Sequence, residues 1–298
     1  MLIPVMSALR LKNILYATDF PEASRAALPI VAAIARKYGA KIFAAHVWAP
    51  LPYSMVTSEE LSMVDDKEES DARGVLEKFV RIQDLDGLPV TPIVTCGDTA
   101  KELGLIVRQN QIDLAILSMH GRIGLKRLLI GSLADELFRS LPCAVLTVGP
   151  NMAKRFDAQS RVKEILFPTD LSYESGAVFS HLAAIATENK SRITLLHVVP
   201  QEDRRHSAAT HESDNLRHAM HRMFCSQIHP RCEARMIVEA GDPVERILAH
   251  ASAGKADLIG FGIRKPGEIS TRFRNTVPYR VVLQAECPVL TYYVSDSW

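Results

Sequence analysis

Short apolar runs alternate with longer amphipathic stretches along this chain. Ile14–Ala17 is a continuous apolar run that stops at Thr18-Asp19, the pattern of a strand buried on both faces. Ala23–Tyr38 places Ala27, Ile30, Val31 and Ile34 at helical spacing and is followed by Gly39, a residue suited to the left-handed turn that closes a helix. Lys41–Val47 predicts a second strand, Glu59–Leu85 a charged amphipathic helix, and Val90–Cys96 a third strand. Asp98 is placed to cap a helix running through Asn110. Leu114–Ser118 predicts strand four, Ser132–Arg139 a further helix and Ala144–Val148 strand five. Strand and helix in alternation imply a parallel sheet with helices on both faces. Uninterrupted apolar strands suit that arrangement better than a half-exposed antiparallel sheet.

The same pattern then returns. "KNILYATDFPEAS" at Lys12–Ser24 recurs as "KEILFPTDLSYES" at Lys163–Ser175, and "AKIFAAHV" at Ala40–Val47 recurs as "SRITLLHV" at Ser191–Val198, both 151 residues on. "CGDTAKEL" at Cys96–Leu103 recurs as "AGDPVERI" at Ala240–Ile247, now 144 residues on. "DLAIL" at Asp113–Leu117 pairs with "DLIGF" at Asp257–Phe261, and "PCAVLTV" at Pro142–Val148 with "ECPVLTY" at Glu286–Tyr292. Five blocks in one order define an internal repeat, and the change from 151 to 144 means that the second copy is seven residues shorter between its second strand and its Gly-Asp block. Each copy is domain-sized, with the polar stretch around Pro150–Arg161 as linker. The fold expected is α/β: two tandem doubly wound domains, residues 1–150 and 151–298, each a five-stranded parallel sheet in a three-layer sandwich of Rossmann-like or flavodoxin-like kind.

Composition narrows the function classes. Of 298 residues 47% are hydrophobic and 23% charged, enough for a real core in each half. A formal charge of +1 supplies no broad field for nucleic acid or an anionic membrane, and neither is expected as a partner. No apolar run reaches the roughly 18–20 residues that cross a bilayer, and the first twelve residues lack the charge order of a secretory signal. A cytoplasmic protein is expected. Its five scattered cysteines, without a Cys-x-x-Cys, read as reduced thiols.

Candidate chemistry gathers where strands one, two and four end, since ligands of such sheets lie beyond the carboxyl ends at the point where strand order reverses. Those ends are Ala17-Thr18-Asp19, His46-Val47 and the segment "SMHGRIGLKRLLIGSLADEL" from Ser118. Gly121, Gly124 and Gly131 let a backbone approach a ligand closely, and Ser132 opens a helix whose amide groups suit phosphate. There is no P-loop and no Gly-x-Gly-x-x-Gly after strand one.

Taken together, "ILYATDF", the "HV" after strand two, "CGD", and "SMHGRIGLKRLLIGS" followed by "PCAVLTV" resemble the universal stress protein family over nearly the whole of each half. The nucleotide-binding branch of that family carries Gly-x2-Gly-x9-Gly-Ser/Thr. Here Gly121, Gly131 and Ser132 match, and Ser118 replaces the first glycine. The resemblance implies an adenine-nucleotide site in which Asp19 faces the ribose and adenine edge, Ala17 and Thr18 line the pocket and Val47 packs on adenine. Leu117 and Ser118 would border the ribose, and Gly121, Gly131, Ser132 and the Leu133 amide would hold phosphates. ATP or a related nucleotide with Mg²⁺ is the ligand expected, with Arg122 or Lys126 as further charge. The resemblance also implies pairing of last strands, Ala144–Val148 beside Val289–Tyr293, in an intramolecular pseudo-dimer, with further homodimerisation open.

The second copy keeps Pro168-Thr169-Asp170, Val198, Gly262 and Thr276, but Lys265 stands at the place of Gly121 and Asn275 at that of Gly131. A side chain in a left-handed position costs roughly 1–2 kcal/mol. Two lost phosphate contacts of ~1.5–3 kcal/mol each weaken binding by about a hundredfold or more. The preserved site is therefore expected in the first half. A separate candidate is zinc at His218, His221 and Cys225, spaced i, i+3 and i+7 on a helix face, with no fixed fourth ligand.

Two functions remain from these residues: a stress-response regulator that binds nucleotide and acts on an unknown partner, with slow hydrolysis or none, and an interaction scaffold of the same fold that binds no nucleotide. Nothing marks a dedicated base or arginine finger, and Asp19 reads as a ligand-positioning carboxylate. An adenylate-forming enzyme would show a Ser-Gly-Gly-x-Asp-Ser-like loop where this chain has "TDFPEAS".

Overall fold

The computed structural model of the chain describes residues 11–18, 27–48, 58–81, 85–118, 137, 141–149, 151–152, 161–200, 209–230, 232–264 and 276–294. Its contacts divide it into two units, one spanning Leu11–Leu146 and the other Thr147–Trp298.

The first repeat runs β1 (Asn13–Ala17), α1 (Leu28–Tyr38), β2 (Lys41–Trp48), α2 (Ser58–Val80), β3 (Val90–Cys96), α3 (Thr99–Gln109), β4 (Leu114–Ser118) and β5 (Ala144–Val148). Strand order is β3-β2-β1-β4-β5, and β1 pairs in parallel with β2 on one side and β4 on the other. Ile14, Leu15 and Tyr16 of β1 are all fully buried, as a central strand covered on both faces requires. α1 closes on Gly39, whose φ of 64° is a left-handed conformation that glycine adopts without steric cost. Asp98 caps α3 as expected, its carboxylate accepting the Lys101 N–H at 3.0 Å. The helix expected over Glu59–Leu85 ends earlier, at Val80. Leu85 is buried and its carbonyl accepts the Leu88 N–H in a turn through Gly87, where φ is 75° and a right-handed helix cannot continue. Of the helix expected over Ser132–Arg139, all but Leu137 lies outside the described residues, as do residues 23–26 ahead of α1.

The second repeat runs β6 (Glu164–Pro168), α4 (Tyr173–Asn189), β7 (Arg192–Val199), α5 (Ala209–Phe224) with a 3-10 turn over Cys225–Gln227, β8 (Ala234–Ala240), α6 (Pro243–Ala253), β9 (Leu258–Arg264), α7 (Val277–Gln284) and β10 (Val289–Val294). Its strand order, β10-β9-β6-β7-β8, is that of the first repeat with β6 again central and every pair parallel. The seven-residue deficit sits in one place, since α2 has 23 residues and α5 has 16.

One aspartate in each copy fixes the strand register. Asp113 Oδ2 accepts the Lys12 and Asn13 N–H groups at 2.7 and 2.9 Å, and Asp257 Oδ2 accepts those of Lys163 and Glu164 at 2.7 and 3.0 Å. Each carboxylate ties the start of strand four of its copy to the start of strand one.

Candidate functional site

In the first unit the strand order reverses at β1: the chain proceeds outward through β2 and β3, then returns to the other side of β1 with β4. Ala17 is the register partner of Ala45 on β2 and of Leu117 on β4, so the last residues of three strands arrive at one edge. Ala17, Thr18, Val47, Leu117 and Ser118 are brought together at these carboxyl ends. Thr18 and Leu117 are buried and the other three are part-exposed. Asp19, Gly121, Gly131, Ser132 and Leu133, like Arg122 and Lys126, lie outside the described residues.

Thr18, just past the end of β1, is held from β2 at both its peptide groups. Its N–H donates to the Ala45 carbonyl at 3.0 Å, and its own carbonyl lies 2.9 Å from His46 Nδ1. A carbonyl only accepts, so Nδ1 carries the proton. From sequence, His46-Val47 is placed at the ligand edge, but only Val47 is given a role in the pocket. The recurrence of the "HV" dipeptide in both copies is the further signal for the histidine.

Two residues past His46, Trp48 buries its indole Nε1–H with no hydrogen-bond partner among the described residues. Its backbone is ordinary, accepting the Gly97 N–H at 3.0 Å, and in the second copy Val199 accepts the Gly241 N–H at the same distance. Among the described residues Thr147 Oγ1, on β5, is buried without a partner in the same way.

The second unit repeats the strand-end geometry. His197 Nδ1 lies 2.8 Å from the Thr169 carbonyl, and the Thr169 N–H donates to Leu196 at 2.9 Å. The following aspartate is described here. Asp170 Oδ1 accepts the Ser172 N–H at 3.0 Å and the Ser175 hydroxyl at 2.7 Å, while the Thr169 hydroxyl oxygen accepts the Leu171 N–H at 3.0 Å. Lys265 and Asn275, which replace the glycines, lie outside the described residues.

The zinc candidates are not assembled by this geometry. α5 stops at Phe224, so Cys225 belongs to the 3-10 turn and does not continue the helical face that carries His218 and His221. Both histidines are exposed, His218 donates Nδ1–H to the Asp214 carbonyl at 2.8 Å, and burial pushes the Cys225 thiol up. Among the described residues no group of three or more histidine, cysteine or acidic side chains is placed to hold a metal ion.

A cleft of about 460 Å³ lies in the second unit among Met152, Leu248, Lys255, Asp257 and Cys287. Asp257 and Pro288 immediately precede β9 and β10, so this cleft is at the amino ends of the strands, opposite the edge that carries Thr169 and His197. It therefore has no part in the site just described.

A parallel α/β unit occurring twice, with a threonine just past the central strand end held by a histidine of the next strand, defines a class of tandem α/β proteins. The model of the universal stress protein family matches residues 10–149 and again 161–292, and the chain belongs to that family with two such domains in tandem. A universal stress protein of Methanocaldococcus jannaschii is 24% identical over 138 residues, covering 46% of this chain and 81% of the relative. Among solved structures, a universal stress protein from Archaeoglobus fulgidus superposes with a TM-score of 0.72 at 17% identity, over 98% of this chain and 99% of that one. A functionally unknown protein from Pseudomonas aeruginosa gives 0.62 at 16% identity, over 96% and 94%. Among the described residues no helix is long and apolar enough to cross a membrane.

Proposed function

We propose that this protein is a cytoplasmic stress-response regulator whose first domain binds ATP or a related adenine nucleotide with Mg²⁺, hydrolyses it slowly or not at all, and changes a surface offered to a protein partner. The observation that carries this reading is the reversal of strand order at β1. It sets Ala17-Thr18 beside Leu117-Ser118 at the edge where such sheets take ligands, and from Ser118 the chain runs directly into the glycine-bearing segment.

In this assignment Thr18 and Ser118 offer hydroxyl oxygens, Asp19 positions the ribose, and Gly121, Gly131, Ser132 and Leu133 present backbone N–H groups to phosphates. Mg²⁺ arrives with the phosphates and neutralises part of their charge. No general base for water is assigned in this reading, and slow turnover or none is what it expects. The second domain, with Lys265 and Asn275 in place of two glycines, binds nucleotide weakly or not at all.

Calorimetric titration of Mg-ATP into the intact chain and into Asp19→Ala and Gly131→Val tests the reading. The account expects saturable heat from the unmodified protein and its loss in both variants. Unchanged heats across all three would reject the site as placed. A scaffold that binds no nucleotide is the second reading, favoured by Ser118 standing where the family pattern has a glycine, and it predicts no heat at all.

A further inference from the structure

We infer that His46 is a positioning residue of the proposed nucleotide site, acting through the peptide that joins Thr18 to Asp19. The inference rests on the reading above and adds a residue to which neither the motif nor the pocket assignment gives a role.

The parallel ladder between β1 and β2 runs to Ala17 and Ala45, and the next residue is Thr18. At that residue β2 holds both sides of Thr18, through the Ala45 carbonyl at 3.0 Å and the His46 imidazole at 2.9 Å. A peptide group is planar, so fixing the direction of the Thr18 carbonyl fixes the plane in which the next nitrogen and Cα are bonded. The next residue is Asp19, the carboxylate assigned to the ribose. A side chain that sets the plane in front of a ligand-binding carboxylate sets where that carboxylate starts from.

The second unit shows that the clamp is a built feature. His197 and Leu196 hold Thr169 at 2.8 and 2.9 Å, and the aspartate that follows is anchored by Ser172 and Ser175. The same histidine bond thus occurs in a domain that keeps the glycine set and in one that has lost it. This provides an internal control, because any contribution of the bond to folding alone applies to both copies, whereas a contribution to nucleotide binding applies only to the first.

The test uses the full chain and three variants. Asparagine carries an amide N–H at about the reach of Nδ1 and can still meet the Thr18 carbonyl, while glutamine carries it one methylene further out. Mg-ATP affinity is measured by calorimetry, and the unfolding midpoint of each variant is recorded. His46→Asn is expected within about threefold of the unmodified protein, and His46→Gln about tenfold weaker, which corresponds to about 1.4 kcal/mol. His197→Gln is expected to lower the unfolding midpoint as His46→Gln does while leaving the affinity within about twofold. Binding by His46→Gln that equals that of the unmodified protein overturns the inference, as does an equal loss of affinity in His197→Gln. If the unmodified protein takes up no nucleotide, the functional reading fails first, a result that no variant is needed to recognise.

Discussion

Gly260 lies in the middle of β9, and a Cβ built there would overlap Leu182 Cδ1 and stand 2.7 Å from Cδ2 and 3.0 Å from Cγ. Leu182, on α4, is fully buried and has no solvent to retreat into. Gly260→Ala therefore forces either α4 or the strand to shift. Overpacking of this kind costs about 1–3 kcal/mol. Alanine also restricts the unfolded chain, which returns about 0.4–1 kcal/mol, so a net loss of about 1–2 kcal/mol is expected. The first copy shows how the space can be divided differently. Ile116 stands at the position of Gly260 and Val31 at that of Leu182, both fully buried, so a large strand residue with a smaller helix residue there becomes glycine with leucine here. Leu182→Val alone should cost about 1 kcal/mol by lost packing. Combined with Gly260→Ala it should give a double variant more stable than the sum of the singles by about 1–2 kcal/mol. Urea unfolding followed by far-UV circular dichroism reads all four proteins. A single Gly260→Ala variant as stable as the unmodified chain, or a strictly additive double variant, would refute the packing argument.

Asp257→Ala should lower stability by about 1–3 kcal/mol, since it removes the acceptor for two backbone N–H groups, and Asp257→Asn should recover at least part of the loss. The shift in urea midpoint measures both, and no shift in the alanine variant would contradict the register role. Lys190 closes α4 at φ 56° where the first copy has Gly39. Lys190→Gly should therefore stabilise by up to about 1 kcal/mol, seen as a raised thermal midpoint, and a lowered midpoint would count against it. The Cys143 thiol is pushed up to about 12, first by burial and then by the nearby Asp113 charge, with the Ala115 backbone hydrogen bond working in the other direction. At pH 8 only ~10⁻⁴ of it is thiolate, so iodoacetamide should label the exposed Cys96 long before Cys143 in the folded protein. Equal labelling rates by peptide mass spectrometry would contradict this.

The strands were legible in the sequence because parallel strands buried on both faces leave uninterrupted apolar runs, as β1 and β4 do, and Asp98 and Gly39 announce their caps by residue type alone. The end of α2 was not legible: Ile82 and Leu85, three apart among polar residues from Arg81 through Asp86, continue a helical-looking pattern, and only Gly87 marks the turn. At the site, Ala17, Thr18, Val47, Leu117 and Ser118 could be placed because strand ends follow from strand order. The His46 bond could not, since it depends on a β2 side chain reaching the carbonyl just past the end of a neighbouring strand, 28 residues earlier. The exchange of bulk between Gly260 and Leu182 was hidden for the same reason, as volumes match across space and leave no trace in local pattern. In the zinc candidates the spacing was visible, but the stop of the helix at Phe224 that removes Cys225 from the face was not.

The most direct measurement is native mass spectrometry of the intact chain in the presence of Mg-ATP, alongside Asp19→Ala. An added mass of one nucleotide per chain is expected, released on denaturation as an adenine nucleotide and absent from the variant. A chain that stays bare, or one that takes up nucleotide equally with and without the Asp19 carboxylate, would contradict it.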